Sequence, residues 1–139
     1  MVLCVHLFRH APGRASETQL LLSAGLVGLV ADTLVKACGA LSEAGPSCFP
    51  ALAPAWLLPL WLIFATTLNG SMSWMADRIW LGVLFGAVGG PLSYWSGARM
   101  GALQLRAPLV QSLAWIALEW AIAMPVLLGL RARITGPRP

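Results

Sequence analysis

Charge is scarce in this chain. Of 139 residues only five are acidic and nine are lysine or arginine, 10% in all, where a soluble domain carries about 25%. So few charges cannot clothe a water-soluble surface of this length. The net charge of +4 comes from scattered basic residues, not from the clustered patch that nucleic acid requires, so no nucleic-acid partner is expected. Cysteine is also sparse. Cys4, Cys38 and Cys48 match no zinc, haem or C-x-x-C spacing, and whether Cys38 and Cys48 form a disulfide stays open, because sequence does not fix their Cα separation. The opening MVLCVHLFRH lacks the basic region and small-residue cleavage site of a secretory signal. Residues 1–10 read instead as the remnant of an upstream span. His6 and His10 are four apart but have no third ligand nearby and are flanked by Arg9 and Arg14, so no metal is expected. P-loop, dinucleotide and nucleophile motifs are absent too, and no cofactor is expected.

Apolar residues fill the space that charge leaves. They make up 58% of the chain, and its mean hydropathy is +0.77. The pattern predicts an all-α, polytopic transmembrane bundle in a single domain, 1–139. Its four full spans lie at about 19–41, 51–69, 79–98 and 107–130, each near the roughly 20 residues that cross a bilayer core. Ser16, with Gln19 three residues on, reads as the capping box of the first span. Short loops make neighbouring spans antiparallel, and no internal repeat is read. Arg9, Arg14, Arg78, Arg131, Arg133 and Arg138 fall on one side, against Arg99 and Arg106 on the other. The excess of basic residues on cytoplasmic loops then puts both ends in the cytoplasm. Trp56, Trp74 and Trp80 fall near the predicted interfaces, where amphipathic rings are favoured.

Two spans carry bare faces. Gly82, Gly86 and Gly90 recur every fourth residue, with Gly97 beyond and Pro91 expected to kink the helix. Gly25 and Gly28 share a face with Asp32, which turns that acid toward a neighbouring helix. Packing within one chain is the leading reading of these glycines, and homodimerisation or a membrane partner subunit is the other.

Polar groups at membrane depth mark the candidate site. Asp32 and Glu119 fall near the midplane, with Lys36, Tyr94, Gln111 and Trp115 in the outer half; Thr66 and Asn69 lie near the other end. An unpaired acid or lysine at the centre of a span costs about 2.5–3.5 kcal/mol. In one reading Asp32 and Lys36 neutralise each other at i,i+4 and Glu119 is protonated and hydrogen-bonded. In the other, the spans surround an outward-opening polar cavity, with Asp32 and Glu119 as its catalytic or orienting carboxyls. Lys36, Tyr94, Gln111, Trp115, Thr66 and Asn69 would then contact the ligand.

The run PAWLLPLWLIFATTLNGSMSWM, followed by GAVGGPLSYWSGARMGAL, resembles a bacterial family of small inner-membrane proteins, domain of unknown function 2878. Trp61 with Phe64-Ala65-Thr66-Thr67-Leu68, then Gly90-Pro91-Leu92 with Tyr94 and Gly97, carry the likeness, and Asp32 sits in a matching G-x-x-x-D setting. The resemblance covers about Leu20 to Leu130, and family members look longer at the start. It implies an integral inner-membrane protein with a link to membrane-lipid modification, and it leaves open whether the protein is an enzyme. The leading expectation is a bacterial inner-membrane protein that binds or processes a lipid-like or small hydrophobic ligand, with membrane lipids as its partners. The alternatives are a non-catalytic scaffold or assembly subunit acting through its glycine faces, and a small transporter working as an oligomer.

Overall fold

The computed structural model describes residues 14–45, 49–75, 77–106 and 108–135. The remnant of an upstream span expected at residues 1–10, His6 with His10, and Cys48 with its suggested disulfide to Cys38 all lie outside them. The described residues are mostly helical. Helix α1 (Arg14–Ala37) leads into strand β1 (Leu41–Glu43); α2 (Leu57–Asn69) is followed by a single 3-10 turn (Ser73–Met75). Helix α3 (Ile79–Arg99) leads into strand β2 (Leu103–Leu105), and α4 (Leu109–Thr135) ends the described chain.

Four full spans do not emerge. Among the described residues, only Ala15–Ala37 and Leu109–Thr135 are both long and apolar enough to cross a membrane. Helix α2 has 13 residues, roughly 20 Å at 1.5 Å each, short of a bilayer core of about 30 Å. The predicted span 51–69 overran its start, because residues 51–56 form turns and the N–H of Leu57 closes a bond to the carbonyl of Pro54. Helix α3 has 21 residues but is less apolar than that pair and is not among the candidate spans. The first helix also begins earlier than expected, so Ser16 lies inside its first turn and is not its N-cap.

The same helix stops at Ala37 and not near Leu41, for a local reason. Gly39 adopts a left-handed φ of 74°; its N–H bonds the Lys36 carbonyl, and the N–H of Ala40 bonds that of Val35. This glycine cap satisfies the last free carbonyls of a helix. Helix α3 ends in the same way: Gly101 has φ 78°, with bonds from Gly101 to Ala98 and from Ala102 to Gly97.

Each cap feeds a strand, and the two strands pair antiparallel, with Leu41 opposite Leu105, Ser42 opposite Gln104 and Glu43 opposite Leu103. This small sheet was not expected from the sequence. It brings the C-terminal ends of α1 and α3 together, so those helices run parallel and α2 and α4 return. The Ser112 hydroxyl donates to the Ala40 carbonyl at 2.9 Å, tying the start of α4 to the same knot.

The described residues therefore contain two copies of one design, helix–glycine cap–strand–returning helix, contrary to the expectation of no repeat. The offset of 62 residues that separates Asp32 from Tyr94 also relates Gly28 to Gly90 and Gly39 to Gly101. Helix α1 packs on α2 as α3 packs on α4, and α1 also packs on α4. The core runs along these seams, with Leu21, Ala24, Trp61, Leu68 and Leu127 in one cluster and Val35, Leu57, Tyr94, Leu103 and Ile116 in another.

Candidate functional site

The glycines decide where the largest side chains go. A Cβ on Gly28 would come within 2.1 Å of the Trp61 ring, and one on Gly90 within 2.4 Å of the Trp120 ring. Each half thus lays a tryptophan of its returning helix across a bare glycine of its first helix. The two indoles then meet face to face, with centroids 4.5 Å apart and planes 11° from parallel. Phe64 stands nearly perpendicular to both, with ring centroids 6.4 Å from Trp61 and 5.2 Å from Trp120. Such pairs contribute about 0.5–1.5 kcal/mol each beyond burial.

Asp32 lies one turn after Gly28 and is fully buried. The Trp61 indole N–H donates to its Oδ2 at 2.7 Å, and the Tyr94 hydroxyl donates to its Oδ1. An acid, a tryptophan and a tyrosine from three different helices thus form one hydrogen-bonded centre. Glu119 reaches toward it from α4, close enough for its carboxyl to interact with that of Asp32. Both of its carboxyl oxygens are buried, and neither has a partner within hydrogen-bond distance. The adjacent Trp120 Nε1 is buried without a partner as well.

Two openings flank this centre. A groove of about 400 Å³ runs between α1 and α4, lined by apolar side chains, Trp115 and Glu119. A smaller crevice of about 200 Å³ lies where α2 faces α3, bordered by Leu57, Leu60, Phe64 and Ser93 with Trp61, Tyr94 and Trp120.

Of the residues expected at the site, Asp32, Tyr94 and Glu119 do come together, and Trp115 joins Glu119 on the groove wall. Lys36 does not pair with Asp32. Its ammonium bonds Glu43 Oε1 at 2.7 Å and the Leu52 carbonyl at 2.6 Å, because β1 folds Glu43 back over the helix end and Asp32 is filled by Trp61 and Tyr94. Gln111 is exposed and does not line the groove. Thr66 bonds its own helix at the Ile63 carbonyl, and Asn69 accepts from Arg131 at 2.9 Å. Arg131, counted above as a topological charge, is buried.

The glycine faces are filled from within the chain. Gly82, Gly86 and Gly90 meet Leu128, Met124 and Trp120 of α4, and Gly25 meets Leu58 and Leu62 of α2. Gly97 has only Leu103 nearby, at 3.8 Å. Pro91 sits inside α3, and the Ser93 hydroxyl donates to the Gly89 carbonyl at 2.8 Å.

Trp61, Phe64 and Trp120 were not anticipated as parts of the site. The available signal was the spacing Gly28–Asp32, a bare position one turn before a buried acid, which calls for a large side chain with a donor.

The model for a protein of unknown function (DUF2878) matches residues 1–126. The chain belongs to that family. No curated protein and no solved structure matches it. Membership of the DUF2878 family agrees with the resemblance drawn from Trp61, Gly90 and Tyr94, and the centre described above is built from those same blocks.

Proposed function

We propose that the chain is a multi-pass protein of the bacterial inner membrane that binds or processes a lipid-like or small hydrophobic ligand at the Asp32–Glu119 centre. The two long apolar helices, Ala15–Ala37 and Leu109–Thr135, are only 39% and 33% buried within the chain over their most apolar stretches. A core helix of a soluble protein would be mostly covered, whereas Leu22, Leu26, Val30, Leu118 and Ile122 are exposed. So broad an uncovered apolar surface suits a bilayer. The arginines at the ends of the chain favour cytoplasmic termini.

The observation that carries the ligand reading is Glu119: a buried carboxyl without a partner, beside Asp32, on the wall of an apolar groove. Ionisable residues inside a membrane mark functional sites by default. Purification in a mild detergent or native nanodiscs, followed by mass spectrometry of the retained small molecules, tests this. A specific molecule retained by the native chain and lost in Asp32→Asn and Glu119→Gln supports the site. Identical bulk lipid in all three overturns it.

A transporter is the second reading, favoured by the repeated halves, since parallel repeats build several transporter folds. Uptake of the retained molecule into sealed proteoliposomes separates it from a binding or processing role.

A further inference from the structure

Asp32 and Glu119 are supplied unequally. Each Asp32 oxygen receives a donor, one from the Trp61 indole and one from the Tyr94 hydroxyl. Both Glu119 oxygens are buried without a donor, in a residue only 8% exposed whose carboxyl lies against that of Asp32.

With both carboxyls ionised, two like charges would face each other where water does not reach. The surrounding elements hold nothing to balance them. Lys36 of α1 is turned away to Glu43 and the Leu52 carbonyl. Helix α2 brings Trp61 and no charged residue, and α3 brings Tyr94. Farther along α4, Arg131 bonds Asn69. Among the described residues no cation bears on either acid, and a buried charge without a counter-ion is costly.

One proton resolves this. A protonated carboxyl is a donor, and an ionised one has more acceptor sites than the two that Trp61 and Tyr94 occupy. Glu119 with a proton therefore becomes the third donor to Asp32, and the centre carries one negative charge. The reverse placement fits worse. A protonated Asp32 would direct Trp61 and Tyr94 at a neutral acid and leave a charged Glu119 with a single donor.

We propose that Asp32 and Glu119 form a proton-binding site that holds one proton between them, seated on Glu119 and donated to Asp32. This goes beyond the ligand reading and does not depend on what occupies the α1–α4 groove. It gives the centre one transferable proton. In the unfolded chain an ordinary glutamate, which titrates at about 4.3, has lost its proton at neutral pH. Folding then takes up one proton, so this contribution to stability falls as pH rises.

The test uses the full chain in dodecyl maltoside, a detergent without a carbonyl group. Infrared spectra at neutral pH should contain the C=O stretch of a carboxylic acid, shifted in heavy water and abolished by Glu119→Gln. Glutamate labelled with heavy carbon at its carboxyl should move that band in the native chain, which makes the assignment without a variant. Unfolding followed by circular dichroism gives the second readout. The unfolding constant of the native chain should rise with pH more steeply than that of Glu119→Gln, by about tenfold per pH unit. A band that survives Glu119→Gln and is lost in Asp32→Asn seats the proton on Asp32 and overturns the assignment. A native spectrum without the band, or parallel pH slopes for the native chain and Glu119→Gln, overturns the site altogether. Neither readout involves the groove, so the ligand reading stands or falls by its own retention experiment.

Discussion

The indole N–H of Trp61 donates to Asp32, and the ring of the same Trp61 lies where a side chain on Gly28 would stand. One tryptophan thus depends on two positions of α1, a bare one for its face and an acid for its edge. Trp61→Phe keeps the face and removes the donor, and should cost about 1.5–3 kcal/mol if Asp32 is charged and nearer 1 kcal/mol if it is not. Unfolding in a detergent titration, followed by circular dichroism, measures the loss. Asp32→Asn combined with Trp61→Phe should cost less than the two changes summed, because they share one bond.

Gly28→Ala should destabilise by about 1–3 kcal/mol, since its methyl enters the Trp61 ring and forces repacking. Gly45 has nothing within 4 Å of an added Cβ, so Gly45→Ala is the control and should change stability by less than about 0.5 kcal/mol. Equal effects at the two positions would contradict the seating of Trp61 on Gly28.

The glycine face of α3 can be assigned by comparing Gly86 with Gly97. A Cβ at Gly86 would lie 2.5 Å from the Trp120 carbonyl oxygen, which is backbone and cannot swing aside, whereas at Gly97 its nearest neighbour is 3.8 Å away. Gly86→Ala should therefore unfold the chain at lower detergent fractions. Gly97→Ala should be neutral or stabilising by up to about 1 kcal/mol from helix propensity. A Gly86→Ala chain that stays fully stable but changes its oligomeric mass would move this face to a subunit contact.

Much of this arrangement was legible in the sequence, and the parts that were not have physical causes. The buried position of Asp32 followed from its periodicity with Gly25 and Gly28, a strictly local relation. The inward glycines of α3 followed in the same way. The partner of Lys36 did not, because i,i+4 spacing made Asp32 the obvious candidate and Glu43 is delivered only by the turn at Gly39 and the pairing of β1 with β2. Nor did the short α2, where hydropathy continues through residues 51–56 although their backbone forms turns. Trp61 was read with the family blocks and not as a donor, since the acid it serves lies on another helix. The repeat had a short signature, Gly-Ala-Leu at 39–41 and again at 101–103, too brief to stand out in so apolar a chain.

The reassignment of Lys36 is open to a double-mutant cycle. Lys36→Met and Glu43→Gln, alone and together, should show a coupling of about 1 kcal/mol or more, only weakly reduced by salt because the two side chains are mostly buried, 16% and 14% exposed. The cycle of Lys36→Met with Asp32→Asn should show coupling near zero, because no bond joins them. Strong coupling to Asp32 and none to Glu43 would restore the pairing within α1.

The two glycine caps make the internal repeat testable by stability alone. Gly39 and Gly101 both hold left-handed φ values, 74° and 78°, and neither has an atom within 4 Å of an added Cβ. Alanine at either position therefore suffers only the backbone penalty, about 1–2 kcal/mol, with no packing term to blur it. If the halves are equivalent, Gly39→Ala and Gly101→Ala should destabilise by the same amount within about 0.5 kcal/mol. Each should also loosen the pairing of Leu41 with Leu105, seen as faster amide hydrogen exchange at residues of both strands. A large loss at one cap and none at the other would mean that one half carries the fold and the resemblance between them is geometric only. Asparagine, which tolerates the left-handed region better than alanine, should recover part of the loss at both positions, and that recovery separates backbone strain from an unrecognised contact of the glycine itself.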